Sequence, residues 1–159
     1  LLDVELLLAR VYPESVNPRE VTLSDVQRET LKGLNILLVD DSQVARKQLS
    51  DALDSKDVSY FVTTNGQDAL DLMLNADREG RPIDILVSDI EMPGLDGYEL
   101  TFNARDSGNA LTQPYIILHT SLNSEMSVSY ARQVGADEAL TKFDAEEFLH
   151  AMLRGAERV

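Results

Sequence analysis

The sequence has 159 residues, of which 43% are hydrophobic and 26% are charged, as expected for a soluble globular protein. The formal net charge of −14 disfavours binding to nucleic acids or insertion at anionic membranes, because those partners are also negative. The absence of cysteine excludes disulfides, thiolate metal sites and cysteine nucleophiles, and it agrees with a cytoplasmic location. No stretch is long and apolar enough to predict a membrane span.

Residues 1–31 are expected to be the end of a preceding domain together with a linker. Apolar side chains recur at helical spacing over residues 1–11, and a polar stretch follows them. Ser24 and Asp25 then form a start signal for a short helix near residues 24–31. Because the sequence does not begin with Met, we expect it to be cut from a longer protein.

From residue 32 to residue 158, apolar runs alternate with helical patterns and predict one domain. The predicted strands cover residues 34–39, 58–63, 83–88, 114–119 and 138–141. The predicted helices begin at or near Ser42, Ala69, Gly97, Met126 and Asp144. Five strands alternating with five helices predict an α/β fold, in which a doubly wound parallel sheet is covered by helices on both faces.

Polar side chains follow four of the predicted strands. They are Asp40 and Asp41 after the first, Asp89 after the third, Thr120 after the fourth and Lys142 after the fifth. Because the carboxyl ends of parallel strands meet at one edge of a sheet, we expect these side chains to lie together. Each of them also suits a helix cap, a turn or a solvated surface, but that interpretation requires four coincidences at the same edge.

Three neighbouring carboxylates repel one another, so either one is protonated or a cation lies among them. His119 and His150 are interpreted as structural or solvated side chains without partners, which leaves hard oxygen ligands and favours Mg²⁺. Such a site suits phosphoryl chemistry. Asp89 is then the nucleophile, the metal and Lys142 neutralise charge, and Thr120 hydrogen-bonds a phosphoryl oxygen.

Four segments together resemble a bacterial response-regulator receiver domain. In chain order they read LLVDDS, SDIEMPGLDGYEL, LHTSL and ADEALTKF. The resemblance implies a (βα)5 sheet of the flavodoxin or CheY type with strand order 2-1-3-4-5, here with an N-terminal helical extension. It also implies a phosphoacceptor signalling domain of a two-component system, not a conventional enzyme. The implied phosphoryl donor is a phosphohistidine on a sensor histidine kinase.

The same resemblance assigns a role to each candidate residue. Asp89 is the implied phosphoacceptor, Thr120 the switch hydroxyl and Lys142 the residue that contacts the phosphoryl group. The implied Mg²⁺ ligands are Asp40, Asp41, Asp89 and the backbone carbonyl of Glu91, with Asp41 binding directly and Asp40 partly through water.

Two shorter segments narrow the resemblance. LLDVELLLARVYP resembles the end of a CheW-like coupling domain, and KFDAEEFL resembles the receiver of CheV-type chemotaxis adaptors. This narrower resemblance implies two partners. One is a CheA-like histidine kinase, and the other is a chemoreceptor bound through the missing coupling domain.

Two positions depart from the receiver pattern. Phe143 follows Lys142 where the family usually has proline, so we predict a trans peptide bond there. Ala139 stands where the family usually has an aromatic residue, so a coupled movement of Thr120 and a ring is not expected in its usual form.

Three other functions are compatible with an α/β sheet that carries acidic residues at one edge. A Mg²⁺-dependent phosphatase would need a second Asp two residues after the nucleophile, where this chain has Glu91. A flavin- or nucleotide-binding domain would need a Gly-rich or hydroxyl-rich loop after the first strand, where DDSQVAR is acidic. A receiver-like interaction module that is never phosphorylated stays open because of Ala139.

Overall fold

The structure is a computed structural model, and it describes residues 23–106, 111–120, 125–141 and 143–158. The helix predicted over residues 1–11 lies outside the described residues, as does Lys142. The prediction of a trans bond between Lys142 and Phe143 therefore stays a prediction.

Five parallel strands form one sheet in the order β2-β1-β3-β4-β5, which confirms the predicted α/β fold and strand order. The strands are β1 (Ile36–Val39), β2 (Phe61–Thr63), β3 (Ile85–Asp89), β4 (Tyr115–His119) and β5 (Glu138–Leu140). Strand β2 is shorter than predicted. It lies at the edge of the sheet and pairs only with β1, and Phe61 and Val62 are exposed there.

Within the described residues, six helices surround the sheet. They are α1 (Asp25–Lys32), α2 (Gln43–Asp54), α3 (Gly66–Arg78), α4 (Gly97–Asp106), α5 (Glu125–Gln133) and α6 (Ala145–Arg158). Across the described ranges, none of the helices combines the length and the apolar character needed to cross a membrane.

Helix α1 begins with a reciprocal cap. The Ser24 hydroxyl accepts the Gln27 backbone N–H at 3.1 Å, and the Gln27 side chain accepts the Ser24 backbone N–H at 2.9 Å. Leu23 and Leu31 are buried in the hydrophobic core, and α1 packs against α6. The short helix predicted in the linker is confirmed, and it packs on the sheet domain.

Alternate strand residues face two separate hydrophobic clusters. Ile36 and Leu38 of β1 belong to the cluster under α1, α2 and α6, whereas Leu37 and Val39 belong to the cluster under α3, α4 and α5. Both faces of the sheet are therefore covered, as the near-continuous apolar strands predict.

The strand register aligns the carboxyl ends of the central strands. Val39 pairs with Ser88, so β1 and β3 end one residue apart. Asp89 pairs with His119, and His119 pairs with Leu140. The residues that end or directly follow β1, β3 and β4 therefore lie at the same edge.

Candidate functional site

Asp40 directly follows β1 and is completely buried. Its Oδ1 accepts the backbone N–H of Ser42 at 2.8 Å, and Ser42 in turn caps α2 by accepting the Ala45 N–H. One oxygen of Asp40 thus binds the residue that caps α2, which is close to the helix-cap role that the sequence also allows. The other oxygen, Oδ2, makes no hydrogen bond within the described part of the chain.

Asp89 is the last residue of β3 and is half-buried. Burial, followed by the negative charges of Asp40, Glu91 and Asp41, raises the pKa of the Asp89 carboxyl to about 7. The pKa of Asp40 is also raised, mainly by burial and further by the charges of Asp41 and Glu91. The charges of Asp41 and Glu91 therefore act on both Asp40 and Asp89; three of these four carboxyl groups are the ones expected from sequence, and the Glu91 carboxylate is a fourth.

Helix α4 begins very close to Asp89. A side chain at Gly97 would overlap the Asp89 carbonyl oxygen and the Ile90 Cα atom, so this approach requires glycine. The Gly97 N–H donates to the Ile90 carbonyl at 3.0 Å and fixes the turn between β3 and α4.

Thr120 follows β4 and is 2% exposed. Its Oγ1 donates a hydrogen bond to Glu91 Oε2 at 2.6 Å, and its backbone N–H donates to the Leu140 carbonyl at 3.0 Å. The hydroxyl therefore lies at the acidic edge and is held by a carboxylate two residues after Asp89.

His119 was not predicted to belong to this site. Its Nε2 lies 3.4 Å from Asp40 Oδ2, although neither atom makes a hydrogen bond among the described residues, so His119 is a buried neighbour of the acidic edge. Burial lowers the pKa of His119 to about 4, so the imidazole is neutral at pH 7 and the contact is not an ion pair. The available sequence signal was strand alternation, because His119 and Asp89 each end an apolar strand and pair in register on the same face of the sheet.

The two departures from the receiver pattern lie near this edge. Ala139 is partly buried against the cluster under α3, α4 and α5 and offers no ring to move with Thr120. Phe143 is 39% exposed, and its ring centroid lies 6.2 Å from that of Phe148.

The donor atoms at this edge fit a divalent cation. One ligand atom each from Asp40, Asp89 and His119 lies within 4.8 Å of the other two. A cation would offset the repulsion that raises both carboxyl pKa values, and it would give Asp40 Oδ2 a partner.

The sequence and fold of this chain are similar to those of known proteins. Residues 36–154 match the response regulator receiver domain family. The chain is 29% identical to the chemotaxis protein CheV3 and 25% identical to CheV2, both of Helicobacter pylori. These alignments cover 93% and 97% of this chain but 48% of each relative, so the chain spans about half the length of these proteins.

A solved structure is also similar to this chain. It is the receiver domain of the histidine kinase CKI1 from Arabidopsis thaliana complexed with Mg²⁺ and BeF₃⁻. The TM-score is 0.66 at 26% identity, over 84% of this chain and 96% of the other.

Proposed function

The chain belongs to the response regulator receiver domain family, and from that premise we propose that it accepts a phosphoryl group on Asp89 in the presence of Mg²⁺. The observation that carries the proposal is the placement of Asp89. It ends β3 at the edge that also holds Asp40 and Thr120, and its pKa is raised to about 7 by burial and by neighbouring carboxylates. A buried carboxylate beside other negative charges is stabilised by a bound cation, and reaction with an electrophile would remove its charge.

The proposed step is a nucleophilic displacement at phosphorus. A carboxylate oxygen of Asp89 forms a bond to the phosphorus atom, while the bond from phosphorus to the nitrogen of the donor phosphohistidine breaks. The nitrogen keeps the bonding electron pair, and the product is an aspartyl phosphate. Bound Mg²⁺ supplies neutralisation of the charge on the phosphoryl oxygens.

The proposed ligands of that ion follow from the family pattern. They are Asp40, Asp41, Asp89 and the backbone carbonyl of Glu91. The convergence of the Asp40 and Asp89 oxygens supports the proposal, and so does the influence of the Asp41 charge on both pKa values. Lys142 is proposed to contact the phosphoryl group and lies outside the described residues.

Thr120 is proposed to contact a phosphoryl oxygen after transfer. Its hydroxyl now donates to Glu91 Oε2, so the proton must be redirected from one anionic acceptor to another. The phosphoryl group therefore competes with the Glu91 carboxylate for the same donor, and this competition is a local way to report phosphorylation.

The curated relatives support a narrower proposal, in which the chain is the receiver part of a cytoplasmic CheV-type chemotaxis adaptor. Residues 32–158 are then the receiver, and residues 1–31 are the end of a CheW-like coupling domain with its linker. The proposed partners are a CheA-like histidine kinase and, through the coupling domain, chemoreceptors.

Intact mass after incubation with acetyl phosphate and Mg²⁺ tests the phosphoacceptor proposal. We expect a gain of one phosphoryl group that is lost in Asp89→Asn, lost with a chelator and labile to base. A gain that persists in Asp89→Asn would assign the acceptor to another residue. No gain in protein that is shown to bind Mg²⁺ would overturn the proposal and favour the interaction module that is never phosphorylated.

A further inference from the structure

Two buried polar atoms face each other beside the proposed phosphoacceptor. Asp40 Oδ2 and His119 Nε2 are 3.4 Å apart, and among the described residues neither has a hydrogen-bond partner. Leaving one buried polar atom without a partner costs about 1–3 kcal/mol, so such pairs are rare in native proteins. A single ion bound by both atoms would give each of them a partner.

The distance between these two atoms matches that of neighbouring ligand atoms around one small cation. A tetrahedral ion with bonds of about 2.0–2.1 Å holds neighbouring ligand atoms about 3.3–3.4 Å apart. The distance from Asp40 Oδ2 to His119 Nε2 is 3.4 Å. The third ligand atom, a carboxylate oxygen of Asp89, lies within 4.8 Å of both.

The donor set differs from the one that Mg²⁺ prefers. Mg²⁺ takes oxygen ligands and keeps several waters, whereas an imidazole nitrogen with two carboxylate oxygens suits Zn²⁺ and its neighbours in the first transition row. Three protein ligands leave a fourth position for water. The chain has no cysteine, so its histidines are the only soft side-chain ligands apart from methionine.

We propose that Asp40, Asp89 and His119 form a second metal-binding mode that takes a divalent transition-metal ion such as Zn²⁺, and that this ion withholds Asp89 from phosphorylation. Binding of the ion stands on the geometry alone. Its effect on phosphorylation rests on the proposed function, because an ion held by Asp40, Asp89 and His119 displaces the Mg²⁺ that the proposed transfer requires. Zn²⁺ and Mg²⁺ then exclude each other, since they share two carboxylates.

The chain offers a matched control, because His119 and His150 are its only histidines. His150 is exposed on α6. We would titrate the wild type, His119→Gln and His150→Gln with Zn²⁺ and with Mg²⁺ by calorimetry. The expected result is one Zn²⁺ per wild-type chain. The ratio of Zn²⁺ affinity to Mg²⁺ affinity should fall at least tenfold in His119→Gln and stay within twofold of wild type in His150→Gln.

An unchanged ratio in His119→Gln, or an equal fall in both variants, would overturn the proposal. If His119→Gln does not fold, ¹⁵N NMR of the wild-type imidazoles tests whether Zn²⁺ binds His119. Zn²⁺ should shift the His119 Nε2 resonance and leave His150 in place. A His119 signal that does not respond at one equivalent of Zn²⁺ would equally refute the binding mode.

The effect on phosphorylation is measured by mass after incubation with acetyl phosphate and Mg²⁺, with and without Zn²⁺. We expect Zn²⁺ to abolish phosphorylation of the wild type. Inhibition of His119→Gln should require at least tenfold more Zn²⁺, relative to its own zinc-free rate. Equal inhibition of both proteins would overturn the claim that His119 retains the inhibitory ion. Absence of phosphorylation in Mg²⁺ alone would instead refute the proposed function, and the calorimetric result would stand.

Discussion

The carboxyl group of Asp89 is held in an unfavourable environment. Burial is the first cause of its raised pKa, and the charges of Asp40, Glu91 and Asp41 act in the same direction. The folded state therefore favours the protonated form of Asp89. That contribution to the free energy of unfolding is complete below about pH 4 and is lost as the pH rises through about 7.

Replacing Asp89 by Asn removes the charge and tests this environment. In the presence of a chelator, we expect Asp89→Asn to be more stable than the wild type at pH 8 by about 1–2 kcal/mol, because partial exposure screens part of the effect. The difference should disappear near pH 4. Thermal unfolding followed by circular dichroism at pH 4, 6 and 8 measures it, and a difference that does not vary with pH would contradict the assignment.

Helix α1 carries one apolar residue that is buried in the core and another that is exposed to solvent. Leu31 has no exposed surface, whereas Val26 is 75% exposed. We expect Leu31→Ala to lower the free energy of unfolding by about 2–4 kcal/mol and Val26→Ala to change it by less than about 0.5 kcal/mol. Urea denaturation measures both. Equal, small effects would show that α1 does not stabilise the receiver.

The turn from β3 into α4 brings Gly97 against the backbone of Asp89 and Ile90. Gly97 has no room for a side chain, whereas a Cβ at Gly33 would make only ordinary contacts and its φ of −82° suits any residue. We expect Gly97→Ala to destabilise the fold by about 1–3 kcal/mol, because backbone atoms must move. Gly33→Ala should be nearly neutral.

The Gly97→Ala change should also displace the Asp89 carbonyl that the new methyl group meets. Weaker Mg²⁺ binding in Gly97→Ala, measured by calorimetry on the folded fraction, would follow from that shift. Equal stability of the two alanine variants would contradict the close approach of α4 to β3.

Much of this arrangement can be predicted from the sequence because parallel strands align their carboxyl ends. Once Asp40, Asp89 and Thr120 are placed after apolar runs, the register brings them to one edge. The length of β2 was not predictable in the same way. Its apolar side chains suit a strand. The sequence does not show that β2 lies at the edge of the sheet, where Phe61 and Val62 are exposed; only the pairing of β2 with β1 alone shows that position.

The position of His119 was missed for a related reason. Alternate residues of a strand point to the same face. Asp40, Asp89 and His119 each come two residues after a strand residue of the cluster under α1, α2 and α6, and Asp89 pairs with His119 in register. Alternation together with register therefore places the three on one side of the sheet, whereas the 3.4 Å approach of His119 Nε2 to Asp40 Oδ2 is a tertiary detail.

At the scale of the whole molecule, the net charge of −14 affects how donors reach the site. Acetyl phosphate is an anion, so the protein repels it, and added salt screens this repulsion. At saturating Mg²⁺, we expect the phosphorylation rate to rise about two- to fivefold between 20 and 300 mM KCl.

Phosphoramidate, which carries less negative charge, is the control for this effect. Its rate should increase less over the same range of salt. A rate with acetyl phosphate that is flat or falling at saturating Mg²⁺ would contradict a repulsive approach.

The shortness of both sheet edges has a consequence for the chain during its synthesis. In the finished sheet, the exposed edges are β2 and β5, each three residues long, which gives little template for pairing with another chain. Before β4 has been made, however, the apolar strand β3 is itself an edge. Thirty residues separate Asp89 from His119, which is about 2–6 s of translation at about 5–20 residues per second. Neighbouring nascent chains on one messenger RNA are therefore most prone to associate in that interval, and pairing of β4 with β3 ends it.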